Sequence, residues 1–338
     1  MVGIKDVARQ AGVSVGTVSN VLNRPERVSS EIRARVHAAI DLLGYVRSES
    51  ARQLRAGRSR MLGLLVMDTV NPFFAVLAQG TERVAVEAGL GVMVCNSAES
   101  ASAEQAYLSL FVEQRLRGVL FAPVASDGEP WEALRRANIP FVIVDRAVSA
   151  QTACSVAADD VLGGMLAGRH LLAAGHRRIA YVRGPSHLQQ VRDRREGLVR
   201  AAEESGLGAD AIIDIPADKL DVAAGRDAGA RLIGLFPRPA AVFCANDLLA
   251  LGVMQTAFDA GVHIPDDLAI VGYDDIEFAE ASLIPLTSVR HPAGEIGRLA
   301  AQLMLQELEP PDPEHDHQHT GIVLQPELVV RRSSMPRS

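Results

Sequence analysis

Two groups of side chains in this sequence have chemistry to offer. Near the amino end, within ten positions, stand Ser14, Val15, Gly16, Thr17, Ser19, Asn20 and Asn23. Ser14, Thr17, Ser19 and Asn23 are short hydrogen-bonders suited to phosphate oxygens. The Asn20 amide can pair bidentately with an adenine edge, and Val15 can press on a thymine methyl. Gly16 offers no side chain and admits close backbone approach. The second group is scattered, its acids and amides each following an apolar run: Asp68, Asn71, Asp145, Asn246 with Asp247, and Asp274 with Asp275. Arg192, Arg194 and Arg195 follow Gly184-Pro185, and Phe73 and Phe74 stand out in a chain only 4% aromatic. Carboxylates, amides and an arginine beside a flat apolar face can grip a hydroxyl-rich ligand or a nucleobase. Asp247 and Asp275 read instead as cap or turn residues.

Neither group forms a catalytic constellation. No Walker loop, and no G-x-G-x-x-G after a first strand, is present. Asp159 and Asp160 are adjacent, and neighbours on a helix point about 100° apart, so they cannot share one substrate well. The imidazoles of H315-D-H-Q-H319 lie among Pro310, Pro311 and Pro313 and read as a solvated loop. Cys95, Cys154 and Cys244 are odd in number and widely spaced, which fits free thiols in a reducing compartment. Trp131 reads as packing. The expectation is therefore no catalytic residue, no metal site and no cofactor.

Three short helices can carry the first group. Val7, Ala8 and Ala11 stripe one that Gly12 ends. Ser14 can cap a second, on which Val18, Val21 and Leu22 face inward and Gly16, Asn20 and Asn23 outward. Ser29 can cap a third, buried through Ile32, Val36, Ala39, Ile40 and Leu43 up to Gly44. A helix, a tight turn and a second helix with a polar outer face suit the DNA major groove. The charge agrees. Residues 1–60 hold eleven Lys/Arg against five acids, a net of +6, while the remainder holds 23 against 36, a net of −13. A basic head on an acidic body points to a polyanionic partner for the head.

From residue 61 short apolar runs alternate with helical stretches. Runs 61–67, 90–95, 118–122 and 140–144 form one series; 178–182, 211–215, 240–244 and 268–272 form another. Helices are expected around 73–88, 101–115 and 129–137. Two βα series make an α/β fold of two doubly wound parallel sheets, with ligands held beyond the carboxyl ends of the strands.

The run I4-K-D-V-A-R-Q-A-G-V-S-V-G-T-V-S-N-V-L-N23, followed by V28-S and L43-G-Y45, resembles the lac/purine repressor family of bacterial transcriptional regulators. The likeness continues through N71-P-F-F74, G175-H-R-R-I-A180, A245-N-D-L-L-A-L-G252, I264-P-D-D-L-A-I-V-G-Y-D-D275 and L328-V-V-R-R-S-S334. It implies a helix-turn-helix headpiece at 1–46, a hinge helix at 47–60 and a two-lobed periplasmic-binding-protein-like core at 61–338. Lobe 1 would take about 61–160 and 291–320, and lobe 2 about 161–290 and 321–338. In the hinge, Ala51 would allow two helices to approach, Leu54 would wedge between base pairs, and Arg52 and Arg55 would meet phosphates. The family's effector positions fall on Phe73, Phe74, Asp145, Arg194, Asn246 and Asp274. Many members carry Arg in place of Asn20, and some sugar-binding members an aromatic in place of Leu220.

The expected molecule is a cytoplasmic, nucleoid-associated homodimer on a near-palindromic double-stranded DNA operator, with a small sugar-like effector controlling its affinity. A solute receptor and an α/β hydrolase of sugars or nucleosides are the competing readings. The first 10 residues include Asp6 and Arg9, unlike an export signal, and no apolar run approaches the ~18 residues of a membrane span.

Overall fold

Flanking residues fix the ends of each short helix in the amino-terminal part. The computed structural model describes residues 2–45, 59–124, 129–309 and 318–335, and the chain divides into two compact units, Met1–Ser59 and Arg60–Ser338. In the first unit, α1 (Ile4–Ala11) stops at Gly12, whose φ of 62° is a left-handed turn that favours glycine. Helix α2 (Val15–Asn23) starts at Ser14, whose Oγ accepts from the Thr17 N–H at 3.0 Å. Helix α3 (Ser30–Leu43) starts at Ser29 and stops at Gly44. Val7, Ala8, Ala11, Val18, Val21, Val36 and Ala39 form the core, with Leu22, Ile32, Ile40 and Leu43 half-buried at its edge. Arg35 on α3 donates to the Ala11 carbonyl at 2.6 Å, so this cation closes the end of α1. Ala51, Leu54 and Arg55, with the rest of the expected hinge helix, lie outside the described residues.

The second unit winds twice. Its first half runs β1 (Met61–Val66), α4 (Pro72–Glu87), β2 (Gly91–Asn96), α5 (Ala101–Glu113), β3 (Gly118–Phe121), α6 (Glu132–Arg136), β4 (Phe141–Val144) and β5 (Cys154–Ala158). The chain then crosses to a second lobe through α7 (Asp160–Ala173), β6 (Ile179–Arg183), α8 (Gln189–Glu204), β7 (Ile212–Pro216) and α9 (Val222–Ile233). There follow β8 (Ala241–Cys244), α10 (Asp247–Asp259), β9 (Ala269–Asp274), α11 (Glu277–Ala281) and β10 (Thr287–Arg290). Helix α12 (Ala293–Glu307) returns to lobe 1 and packs on α4 and on β3 to β5. Last come β11 (Gly321–Leu324) and β12 (Glu327–Val329).

Each sheet has six strands, in the orders β11-β5-β4-β3-β1-β2 and β12-β10-β9-β8-β6-β7, all parallel except β12. The apolar runs mark four strands in each. Of the others, β5, β10 and β12 escaped because their sequences are small, polar or very short, and β11 because its apolar run is only three residues long. Thr287 and Ser288 of β10 are fully buried, yet their hydroxyls bond the Arg331 carbonyl and Asp247. The apolar run of β2 is not buried on both faces: it is an edge strand that leaves Met93 and Val94 exposed.

One boundary moves. Residues 321–324 pair with β5 in register Ile322↔Val156, so they belong to lobe 1, and the last crossing falls at 325–326. A three-residue apolar run reads alike for either sheet; only its register partner decides.

Candidate functional site

On α2, Val15, Gly16 and Asn20 are exposed, and Asn23 is exposed at the far end. The Ser14 and Thr17 hydroxyls bond each other at 2.9 Å at the cap, while Asn23 donates to the Ser19 carbonyl at 2.7 Å. Four of the seven headpiece positions are thus held in a fixed outline, and the Asn20 amide projects from it. Exposed, short and braced, this face can enter a groove.

In the larger unit, the six positions Phe73, Phe74, Asp145, Arg194, Asn246 and Asp274 line one cavity between the lobes. The strand ends bring them there. Asn71 follows β1 and caps α4, accepting from the Phe73 N–H at 3.0 Å, and Pro72 fills the first helical position. Both phenylalanines are therefore set in the first turn, edge to face at 5.0 Å. Asp145 follows β4 and Asp274 ends β9, with φ of 61° and 102°. Such values are uncommon outside glycine, and here they turn both carboxylates toward the cleft. Asn246 caps α10, accepting from the Leu249 N–H and donating to the Leu220 carbonyl at 3.0 Å.

Helix α8 carries the arginine. It meets α7 in backbone contact: a Cβ on Gly164 would lie 2.0 Å from the Arg194 carbonyl oxygen. That crossing sets Arg194 over the Tyr273 ring at 3.6 Å. Its Nε donates to Asp160 at 2.8 Å, its Nη1 to the Ala245 carbonyl at 2.6 Å, and Asp274 lies 3.7 Å away. Burial opposes its charge, but Asp160 and the neighbouring Tyr273 and Asp274 raise its pKa well above the ordinary value. Arg192 and Arg195 turn elsewhere, to the Ser186 carbonyl and to Asp214.

Bonds between the lobes close the cleft. Gln190 on α8 donates to Asp145, and Asn71 donates to Asp274 Oδ2 at 3.2 Å. His291, at the crossing after β10, stacks on Phe73 at 4.5 Å and stands 3.4 Å from Asp145 and 3.9 Å from Asp274. Burial pushes Asp145 up to about 6, and the His291 charge works against that rise. Burial likewise pushes Glu99 up to about 7, with Asp68 adding to the rise. The cavity is about 30 Å³, room for only about two or three waters, so a larger ligand must take the place of these contacts.

Gln190, Glu99 and His291 were missed in the sequence. Gln190 sits four residues before Arg194, on the same helix face, which was a usable signal. Glu99 and His291 follow β2 and β10, so the strand-end rule reaches His291 once β10 is recognised. Asp247 and Asp275 are anchors rather than caps: Asp247 accepts from Ser288 Oγ and the Ile276 N–H, and Asp275 pairs with Arg290 and Arg331. Trp131 is buried and stacks on Phe141.

Among the described residues no helix is long and apolar enough to cross a membrane. Residues 3–48 match the lacI family of bacterial regulatory proteins, and residues 169–334 match the periplasmic binding protein-like domain. The ribose operon repressor of Escherichia coli (strain K12) is 34% identical over 335 residues, 99% of this chain and 100% of that protein. Among solved structures, the lac repressor dimer bound to operator and the anti-inducer ONPF has TM-score 0.83 at 25% identity, covering 99% of both chains. A LacI family transcriptional regulator from Enterococcus faecium with bound ribose has TM-score 0.73 at 29% identity, covering 82% of this chain and 100% of its own. Likeness along the whole chain, in headpiece and in two-lobed core, makes it a member of the lacI family of bacterial transcriptional regulators.

Proposed function

We propose that this chain is a sequence-specific repressor of transcription, acting in the cytoplasm on nucleoid DNA, whose operator affinity is set by a small sugar-like effector between the lobes. It is not an enzyme on this reading: Asp145 and Asp274 each accept from an amide of the other lobe, and the one arginine among the buried acids is fixed by Asp160.

One observation carries the reading. The hydrogen bonds that close the cleft, Gln190 to Asp145 and Asn71 to Asp274, each join one lobe to the other. A ligand that replaces them has different affinity for different lobe arrangements, and that difference is the source of coupling to DNA. The chemistry favours a neutral polyhydroxylated ligand. Asp145 and Asp274 accept from hydroxyls, Asn71 and Gln190 can do either, and Phe73 and Phe74 offer a flat apolar wall. Asp145, Asp160, Asp274 and Glu99 outnumber Arg194 and His291, which disfavours a phosphorylated ligand.

On the DNA side, Asn20 and Val15 read bases, Ser14, Thr17, Ser19 and Asn23 meet phosphates, and Gly16 lets the backbone approach. Ala51, Leu54 and Arg55 serve the hinge in the minor groove. A near-palindromic operator requires a homodimer, for which lobe 2 offers an apolar face. There Phe258 and Leu283, 77% and 95% exposed, flank a groove with Met254, Ile264 and Ile284. A thermal-shift screen of the purified chain against pentoses, hexoses, polyols and purines tests the ligand class. A neutral sugar should raise the melting temperature, and a response confined to purines or phosphorylated compounds contradicts it.

A further inference from the structure

We propose that Cys154, Glu307 and His319 form a binding site for a borderline-soft divalent metal ion, zinc foremost. The three come from separate segments of lobe 1. Cys154 opens β5, Glu307 ends α12, and His319 stands two residues before β11. Their ligand atoms all lie within 4.8 Å of one another, with His319 Nδ1 2.9 Å from Glu307 Oε1. Tetrahedral zinc holds sulfur, nitrogen and oxygen ligands about 3.3–3.6 Å apart, so closure needs movements of about 1 Å. Side-chain rotation at the half-buried Glu307 and His319 supplies that.

The donor set selects the ion. One thiolate, one imidazole and one carboxylate suit zinc and its neighbours in the transition series and reject magnesium and calcium. The Thr320 N–H donates to Cys154 Sγ at 3.2 Å, an arrangement that supports a thiolate once the proton has gone. In the metal-free chain burial pushes the Cys154 thiol up to about 11, so it carries its proton at neutral pH. Binding is an exchange: the S–H bond breaks, an S–metal bond forms, and the proton leaves to solvent. His319 gives up its bond to Glu307, its ring proton moves to Nε2, and Nδ1 takes the metal. Water completes the fourth position.

The site lies at the amino ends of β5 and β11, whereas the effector cleft lies at the carboxyl ends of the strands. A metal there ties the end of α12 and the start of β11 to the sheet without entering the cleft. His315 and His317 precede His319 in the sequence but lie outside the described residues and are not counted as ligands.

Titration of the full chain with cobalt(II) tests this, because a thiolate ligand gives a charge-transfer band in the near ultraviolet. The expected result is a band that saturates at one equivalent per chain and vanishes on adding zinc. Cys154→Ser should abolish it and weaken zinc binding at least about tenfold, as should His319→Asn, while Cys95→Ser leaves both unchanged. Operator binding by Cys154→Ser checks its folding; should it fail to fold, Glu307→Gln and His319→Asn carry the test. Cobalt bound without a thiolate band, a band that survives Cys154→Ser, or no binding at micromolar free zinc overturns the proposal.

Discussion

Gln190 reaches across the cleft and donates to Asp145 twice, to Oδ2 at 2.9 Å and to the main-chain carbonyl at 3.2 Å. Both side chains are buried, and they belong to different lobes. Removing the amide by Gln190→Ala strands a buried carboxyl, at a cost of about 1–3 kcal/mol. The ligand-free melting temperature of the core should fall by roughly 2–10 °C, and amide exchange should quicken at the residues after β4. A variant that melts with the wild type shows that the bond does not hold the lobes.

The cleft also predicts a pH dependence. Asp145, at about 6, and Glu99, at about 7, both bind their protons more tightly in the fold than in the open chain, chiefly through burial. For His291 burial works against the charge, but the nearby carboxylates of Asp274, Asp145 and Asp160 raise its pKa overall. Groups with raised values contribute stability that is present at low pH and lost as pH rises through the folded pKa. His170 and His176 are lowered by burial, so their opposite effect is confined below about pH 6.5. The melting temperature should therefore fall as pH rises from about 4.5 through about 7, with His291 extending the fall above about pH 6.5, and His291→Gln and Glu99→Gln should each flatten it. A flat or rising profile in the wild type contradicts it.

Most of the cleft was legible because strands that are buried on both faces announce themselves as apolar runs, and the residue after each is then a candidate. Asp145, Asn246 and Asp274 were found in that way, and Phe73 from its place at a helix start. His291 was not, since β10 reads T-S-V-R and its hydroxyls conceal a buried strand. Arg35 illustrates the converse. In the sequence it is one more positive charge on a basic head, and only the fold shows it spent on the Ala11 carbonyl.

The crossing of α7 and α8 should tolerate no side chain at its centre. Gly164→Ala would set a Cβ 2.0 Å from the Arg194 carbonyl, and backbone cannot step aside as a side-chain tip can. A loss of about 1–3 kcal/mol in denaturant unfolding is expected, with weaker effector binding because Arg194 rides on the displaced helix. Unchanged stability and affinity refute the role given to this contact.

At the headpiece, Asn20→Ala should relax discrimination at one base position per half-site, by about 1–3 kcal/mol, while the slope of affinity against salt stays as it was. Competition between operator variants at two salt concentrations reads both quantities. A uniform loss over all sequences, with a shallower salt slope, assigns Asn20 to phosphate instead.

The central claim, that ligand in the cleft and DNA at the headpiece share one equilibrium, is tested most directly by duplex affinity at fixed salt with and without the stabilising sugar. Fluorescence anisotropy on a selected near-palindromic duplex should show a shift of about tenfold or more in Kd, equivalent to about 1.4 kcal/mol, and none in Asp274→Asn. An identical Kd in the presence and absence of bound sugar, or no preference for any duplex over random competitor, contradicts the account.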